Sequence, residues 1–446
     1  DINVFFNNGD AFQVRAYNTP ITAQSLWRSG SFFLQDAWSI KQRLTLNVGF
    51  RYDYFRTFNP EQCSPQATTF SSIFVERCFE QSRDLARWNN VVPRISAAYD
   101  PTGTGKQVIR AGYNRFVLNM GTSLAQAVNA NNSNYASYDW ADTHMDGTPQ
   151  MDEFVTPDNF IGITGGVVTN VDPEITRPYS DQINVGYQRS INREFAVGAA
   201  YYYRTTRNQI GRINNAIPRE VFFPDPSRAF TNPLTGDTIT PFNIPTSYRG
   251  QVDYLLTNIP LVDDNRYDGL EFTAERRFDS KWMVRAGFTL QRNRGVFSNG
   301  NSDKFNDPNQ DIYRADGSID QDARALFKLS GIYVMPFKIR SSVNFTHTDG
   351  YALQPMYTVS GLNLGAAIKL APRGSERLDD VNLLNLRLSR PTQITETFTL
   401  EPVVDLNNLT NTNAVIAKAT TWGANFLRPT NVVNPFVARF GLKLTW

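Results

Sequence analysis

Hydrophobic and polar residues alternate with a period of two along most of the chain. In the last eleven positions, Phe436, Ala438, Phe440, Leu442, Leu444 and Trp446 fall on one side of an extended ribbon. Val437, Arg439, Gly441, Lys443 and Thr445 fall on the other. Successive side chains of a strand point to opposite faces, so the pattern predicts β-strand with one apolar and one polar face. The same division sets Leu44, Leu46, Val48, Phe50, Tyr52 and Tyr54 against Thr45, Asn47, Gly49, Arg51 and Asp53. It also sets Trp282, Val284, Ala286, Phe288 and Leu290 against Arg285, Gly287, Thr289 and Gln291. Soluble strands average roughly five to six residues, whereas these segments reach the length that a tilted strand needs to cross hydrocarbon.

Fifteen segments qualify: 2–6, 12–18, 27–38, 43–57, 91–100, 106–117, 176–189, 194–207, 265–278, 281–295, 323–335, 338–350, 379–391, 396–409 and 435–446. The first two, hinged at Asn7-Asn8-Gly9-Asp10, carry the weakest pattern, and the alternation slips around 32–38. Short connections at 39–43, 101–106, 191–194, 279–281, 335–338 and 392–396 alternate with long ones at 58–90, 118–175, 208–264, 296–322, 351–378 and 410–434. In an up-and-down barrel the short turns then lie on the periplasmic side and the long loops outside. The expected fold class is all-β: an antiparallel up-and-down transmembrane β-barrel with long extracellular loops and short periplasmic turns. An odd count is unusual for a bacterial single-chain barrel, and an unclosed sheet leaves bare edges whose unsatisfied N–H and C=O groups each cost several kcal/mol in lipid. Further strands are therefore expected upstream or from another chain.

Composition changes this picture little. Among 446 residues no uninterrupted apolar run reaches the roughly 18 that a membrane helix needs. The 31 Phe and 19 Tyr suit aromatic girdles. A net charge of +2 gives no reason to expect a nucleic-acid partner. The two cysteines, Cys63 and Cys78, lie in a polar stretch read as a loop. A disulfide between them is expected, and with it an oxidising compartment, against the alternative of two unrelated thiols. With two histidines and no further cysteine, a zinc site is not expected. The sequence opens on Asp1 without a signal peptide, and an outer-membrane protein must be secreted, so the numbered chain is expected to be part of a longer precursor.

Candidate chemistry is sparse. Asp139, Asp142, His144, Asp146, Asp152 and Glu153 crowd one loop, and Asp303, Asp307, Asp311, Asp316, Asp320 and Asp322 another. Neither follows EF-hand spacing, and Asp-Gly is common turn chemistry, so solvated loops without metal are expected. His144 and His347 have no placed partner in sequence, and no catalytic residues are expected. Gly103 and Gly105 fall in a hairpin turn rather than at a strand-to-helix junction, so no phosphate cradle or cofactor is expected. Tyr135, Tyr138 and Trp140, among Asn129, Asn131, Asn132 and Asn134, are ligand-contact candidates through stacking and amide hydrogen bonds, with packing between loops as the other reading. Arg51, Glu271, Glu275, Arg285 and Glu401 are expected to line the interior and to pair with neighbouring charges there.

Several stretches carry a family resemblance. Residues 31–38, Ser-Phe-Phe-Leu-Gln-Asp-Ala-Trp, followed by Leu44 to Tyr54, resemble the "QD-x-W … LTLN-x-G-x-R-Y-D" hairpin of TonB-dependent outer-membrane receptors. Tyr17-Asn18-Thr19-Pro20, the run from Pro93 to Asp100, Arg110-Ala111-Gly112-Tyr113, and Leu329 to Tyr333 followed by Pro336 extend the likeness over nearly the whole chain. The chain resembles the Oar-like subgroup, whose members carry a carboxypeptidase-regulatory-like domain before the plug. The resemblance implies a 22-stranded barrel of which 1–446 is the C-terminal part, the plug and N-terminal domain lying outside this sequence. It implies import of a large or scarce solute, energised by TonB–ExbB–ExbD through those N-terminal parts. The alternatives are a surface-interaction barrel that binds an envelope partner through its loops, and a passive porin. The ending is similar to the signal read by the barrel-assembly machinery, with Arg439, Gly441, Leu444 and Trp446 in the signal positions.

Overall fold

The computed structural model describes residues 2–7, 9–164, 169–260, 265–279, 281–295, 305–313, 317–318 and 322–446. Thirteen long strands form one antiparallel meander: β1 (Leu26–Ile40), β2 (Leu44–Asn59), β3 (Ser82–Tyr99), β4 (Gln107–Val117), β5 (Tyr179–Ser190), β6 (Phe195–Arg207), β7 (Asn265–Arg276), β8 (Trp282–Gly295), β9 (Ala325–Val334), β10 (Arg340–Thr348), β11 (Val381–Ser389), β12 (Thr399–Asn407) and β13 (Val437–Thr445). Each pairs with its neighbour in sequence, and two short strands complete the sheet. No pairing joins β1 to β13 among the described residues. The all-β, antiparallel, up-and-down reading thus holds.

The register keeps the two faces separate across strands. Ile109, Tyr187, Ala199, Phe272, Phe288 and Phe327 are successive cross-strand partners from β4 to β9. The row one residue away contains Arg110, Gly186, Ala200, Glu271 and Thr289. Large apolar side chains on the first face, including Val185, Leu270, Phe272, Phe440 and Leu442, are exposed. A continuous apolar surface of this extent, made of alternate residues on long strands, is what a wall turns toward lipid. On β8 the outward residues from Trp282 to Leu290 are all apolar. They cover about 27 Å of strand at 3.4 Å per residue, enough with tilt to match the apolar band of an outer-membrane barrel. Trp282 pairs with Tyr333 near the turns, where an aromatic girdle belongs.

The imperfect alternation of β1 resolves in the register. Asp36 lies opposite Val48 and so shares the outward face with Leu34 and Trp38. Its carboxylate accepts the Trp38 indole N–H at 2.5 Å. At the turn after β1, Lys41 and Gln42 both have positive φ, the two-residue geometry that follows the twist of a hairpin.

The pair 2–6 and 12–18 does form strands, Ile2–Asn7 and Asp10–Tyr17, but they are not wall strands. They join Tyr135–Asp139 and Phe160–Thr164 in a separate four-stranded sheet at the loop end. Six and eight residues are too few for a tilted span, which takes about nine to eleven. Among the described residues the wall therefore has thirteen long strands rather than fifteen.

Buried apolar residues cluster at the loop end rather than between layers of the wall. One cluster gathers Val14, Ala16, Phe70, Phe74, Tyr138, Trp140 and Phe154 from the four-stranded sheet and two loops. Another joins Phe55, Ala86 and Trp88 of β2 and β3 to Leu124, Ile175 and Leu256 of the loops.

Candidate functional site: an amide-lined cavity at the loop end

Phe55 and Trp88 are direct cross-strand partners, and Phe55 shares the polar face with Arg51 and Asp53. Both rings therefore point to the interior, where they stack at 5.2 Å. The long loop after β4 turns inward to meet them. Its short helix, Ser123–Ala127, seats Leu124 against this pair. On the return toward β5, the Ile175 carbonyl accepts the Trp88 indole N–H at 2.8 Å, and the Arg177 guanidinium lies 5.2 Å from the Phe55 ring centre. Arg177 Nε also donates to the Leu118 carbonyl at 2.8 Å. A segment of roughly sixty residues is thus held at both ends against the interior face of the wall.

Between these anchors runs a stretch rich in asparagine. Asn129 Nδ2 donates to the Gln24 carbonyl at 2.9 Å and Ser25 Oγ at 3.1 Å, while its Oδ1 accepts from the Asn131 N–H at 2.9 Å and from Gln62 Nε2 at 3.2 Å. Asn131 Nδ2 donates to the Thr22 carbonyl at 3.2 Å and Gln62 Oε1 at 3.1 Å. Asn18 Nδ2 donates to the Asn132 carbonyl at 3.0 Å, and its Oδ1 accepts the Asn134 N–H at 2.8 Å. The network borders a cavity of about 330 Å³ lined by Asn18, Asn129, Asn131, Asn132, Asn134 and Asn170 together with Phe74, Arg77 and Phe79. Asn131 is buried, yet its Oδ1 has no hydrogen-bond partner.

Cys63 and Cys78 face each other across the short hairpin Gln62–Ser64 and Arg77–Phe79 and are joined by a disulfide. The bond closes the loop that delivers Phe70 and Phe74 to the buried cluster beside the cavity.

The aromatic candidates separate on burial. Tyr138 and Trp140 are 5% and 3% exposed and pack against Phe154 and Phe6 respectively. Their ring faces serve the cap's core and are not open to a solute. Tyr135 is half-buried between Tyr17, at 5.3 Å, and the Arg15 guanidinium, at 4.8 Å.

The acidic loop organises around one carboxylate. Glu153, buried, accepts from the Trp140 indole at 3.1 Å, the Thr143 N–H at 2.8 Å and hydroxyl at 2.9 Å, the Gln150 N–H at 3.1 Å and the His144 N–H at 3.1 Å, with His144 Nδ1 at 2.8 Å. Burial pushes its pKa up, but the hydrogen bonds from Gln150, Trp140 and His144 outweigh burial and hold it below the usual carboxylate range. The hydrogen bond to Glu153 raises the His144 pKa. Asp142 accepts from the N–H groups of Asp146 and Gly147, and Asp146 from that of Thr148, which is turn chemistry. In the second acidic loop Asp307 accepts the Asn309 N–H, Asp311 pairs with Arg219 and Asp322 with Arg377. Asp303, Asp316 and Asp320 lie outside the described residues. No group of three or more metal-ligating side chains forms among the described residues.

The interior face carries paired charges: Arg51 with Asp53 at 2.7 Å, Arg285 with Glu275 at 3.0 Å, Arg387 with Asp405 at 2.5 Å and Lys443 with Glu401 at 3.9 Å. Glu271 accepts the Tyr202 hydroxyl at 3.2 Å. His347 sits on the outward face beside Asn382 and Asp349. On β13, Arg439 lies opposite Asp405, Gly441 opposite Val403 and Leu444 opposite Leu400. Trp446 is 89% exposed.

The infolded loop was missed in the sequence, although a signal for it exists. Phe55 and Trp88 are large aromatic residues directly opposite each other at interior parity, and a ring pair on that face marks a place where another part of the chain covers it.

A two-faced meander with short turns at one end and folded loops at the other defines the wall of a membrane-spanning β-barrel. The chain belongs to the outer membrane beta barrel domain family, whose model matches residues 6–361. It is 23% identical over 287 residues to the TonB-dependent transporter Oar of Myxococcus xanthus, a stretch that covers 58% of this chain and 22% of that protein. Among solved structures it is similar to the siderophore receptor PiuA from Acinetobacter baumannii, with a TM-score of 0.53, 11% identity, and coverage of 98% of this chain and 44% of that one. It is also similar to the outer membrane transporter YddB from Escherichia coli, with a TM-score of 0.51, 12% identity, and coverage of 97% and 54%. The chain thus spans less than a quarter of Oar and about half of these structures. The structural likeness concerns the fold, and the family places the chain in the outer membrane of a Gram-negative bacterium.

Proposed function

We propose that residues 1–446 form the C-terminal barrel portion of a TonB-dependent transporter, which binds a solute at the loop end and releases it inward when energised by TonB–ExbB–ExbD through N-terminal parts of the protein. The observation that carries this reading is the loop after β4, pinned to the interior face by Trp88 and Arg177. A loop pinned across the interior narrows the path through the barrel, which suits a receptor whose interior stays covered until a solute engages the loops. The chemistry supplied there is binding, through amides and peptide groups, and no covalent step follows from it. A cavity lined by six asparagines favours a solute, or part of one, rich in hydroxyl or amide groups. Arg439, Gly441, Leu444 and Trp446 would then serve the barrel-assembly machinery during insertion.

The test is binding of the intact protein to the purified periplasmic domain of TonB. Saturable binding is expected. No binding under conditions where a known TonB-dependent receptor binds would refute energised import and favour a surface-interaction role.

A further inference from the structure

Charge on the outward face is unevenly compensated where the apolar band ends. On β8 the outward positions after Leu290 are Arg292 and Arg294. Opposite them on β7 stand Asp268 and Arg266. Arg266 and Arg294 are thus direct cross-strand partners, and like charges in that relation repel. Asp268 is already engaged, accepting from Arg266 Nε at 2.9 Å and from the Tyr201 hydroxyl at 2.7 Å. Arg115, on the same face, by contrast makes a bidentate pair with Asp181, both bonds 2.8 Å. Arg292 and Arg294 make no ion pair among the described residues, and Arg294 Nε is shielded from solvent without a hydrogen-bond partner.

These two arginines line a recess of about 680 Å³ that Arg324 and Arg373 also line. The other carboxylate at the recess, Asp322, is paired with Arg377 at 2.7 Å. Below the arginines the recess is continuous with Leu270 and Leu290 of the lipid-facing band. One end therefore attracts a multiply charged anion and the other an aliphatic chain. Guanidinium groups bind phosphate oxygens in bidentate fashion, and here they stand at the height where lipid headgroups lie. We propose that this recess is a binding site for the phosphate-bearing headgroup of an anionic outer-leaflet lipid, with an acyl chain along Leu270 and Leu290. The inference rests on the outer-membrane location and is independent of what the protein imports.

The experiment is native mass spectrometry of the intact protein in neutral detergent, titrated separately with phosphatidylglycerol, phosphatidylcholine and inorganic phosphate. Retention of phosphatidylglycerol in preference to phosphatidylcholine is expected. The variant Arg292→Gln/Arg294→Gln/Arg324→Gln should weaken it at least tenfold, while Arg110→Gln, which removes one charge from the interior face, should leave it unchanged. Folding of each variant is checked by heat-dependent gel mobility. If the triple variant does not fold, Arg292→Gln alone, at an exposed position, should still lower retention severalfold. Equal retention of the two lipids, or unchanged retention in the folded variants, would overturn the proposal. Inorganic phosphate binding as tightly as phosphatidylglycerol would overturn the lipid assignment in favour of a general anion site.

Discussion

The indole N–H of Trp88 donates to the carbonyl of Ile175 at 2.8 Å, and these residues lie on opposite sides of the long loop that folds into the barrel. Trp88 belongs to a wall strand, and Ile175 to the last residues before the chain re-enters the wall. Their bond lies in a cluster closed to water, next to the stacked Phe55 ring. A buried hydrogen bond with apolar packing on both sides resists opening far more than a solvated loop contact does.

Trp88→Phe keeps most of the packing and removes the donor, leaving the Ile175 carbonyl unsatisfied. The loss should be about 1–3 kcal/mol of local stability. Trp88→Ala should cost about 3–5 kcal/mol by opening a cavity as well. Hydrogen exchange across 119–177 should accelerate in that order, while the turn-end halves of β2 and β3 stay protected.

The Cys63–Cys78 bond closes a loop with a sequence separation of 15. Chain-entropy reasoning assigns a loop of that size about 3 kcal/mol. Cys63→Ser/Cys78→Ser should leave the barrel folded by gel mobility but make 65–76 sensitive to protease. Phe70 and Phe74 would be the first core residues released, so fluorescence from Trp140 in the same cluster should change with them.

Acid and base should loosen the Glu153 loop from opposite directions. Glu153 is held below its ordinary value of 4.5, so its contribution is present above that pH and is lost as pH falls through the lowered value. His144 is raised above 6.5, so its contribution is present below that pH and is lost as pH rises through the raised value. Protection from exchange at 140–155, relative to the intrinsic rate at each pH, should be greatest between roughly pH 4.5 and 6.5. Glu153→Gln should abolish the acid limb and most of the alkaline one, because its carboxylate is what raises His144, whereas His144→Gln should abolish the alkaline limb alone.

Phe272→Arg places a charge in the outward apolar row, where the cost near the bilayer midplane is about 2–4 kcal/mol. Thr289→Arg, on the interior face beside Glu271, should cost less than half as much. Denaturant titration of the intact protein refolded into phosphatidylcholine vesicles measures both.

Much of the wall was legible because lipid and water impose their demand on every second residue for ten residues at a time. Trp282 to Leu290 reads the same way in sequence and in space. The turns were legible because two-faced ribbons must stop where the pattern stops. The hairpin 2–17 was misplaced in the wall because a small sheet has the same period of two. Only its length, short of a span, separates the two cases. Tyr138 and Trp140 illustrate a different limit: nothing local distinguishes an aromatic ring that meets a solute from one that meets Phe154 or Phe6. The paired cysteines were read from their number and loop setting. The arginine recess was hidden because Arg292, Arg294, Arg324 and Arg373 come from three stretches of chain that only the register and one loop bring together.

The account depends on the two faces of the wall meeting different solvents. Single cysteines carrying a nitroxide, introduced one at a time from 283 to 291 of the intact protein in phosphatidylcholine bilayers, test it most directly through their accessibility to oxygen and to an aqueous nickel chelate. Labels at 284, 286, 288 and 290 should favour oxygen, and those at 283, 285, 287, 289 and 291 the nickel chelate or neither. Uniform accessibility along the strand, or oxygen maxima at the odd positions, would contradict a wall that turns Phe288 and Leu290 to lipid.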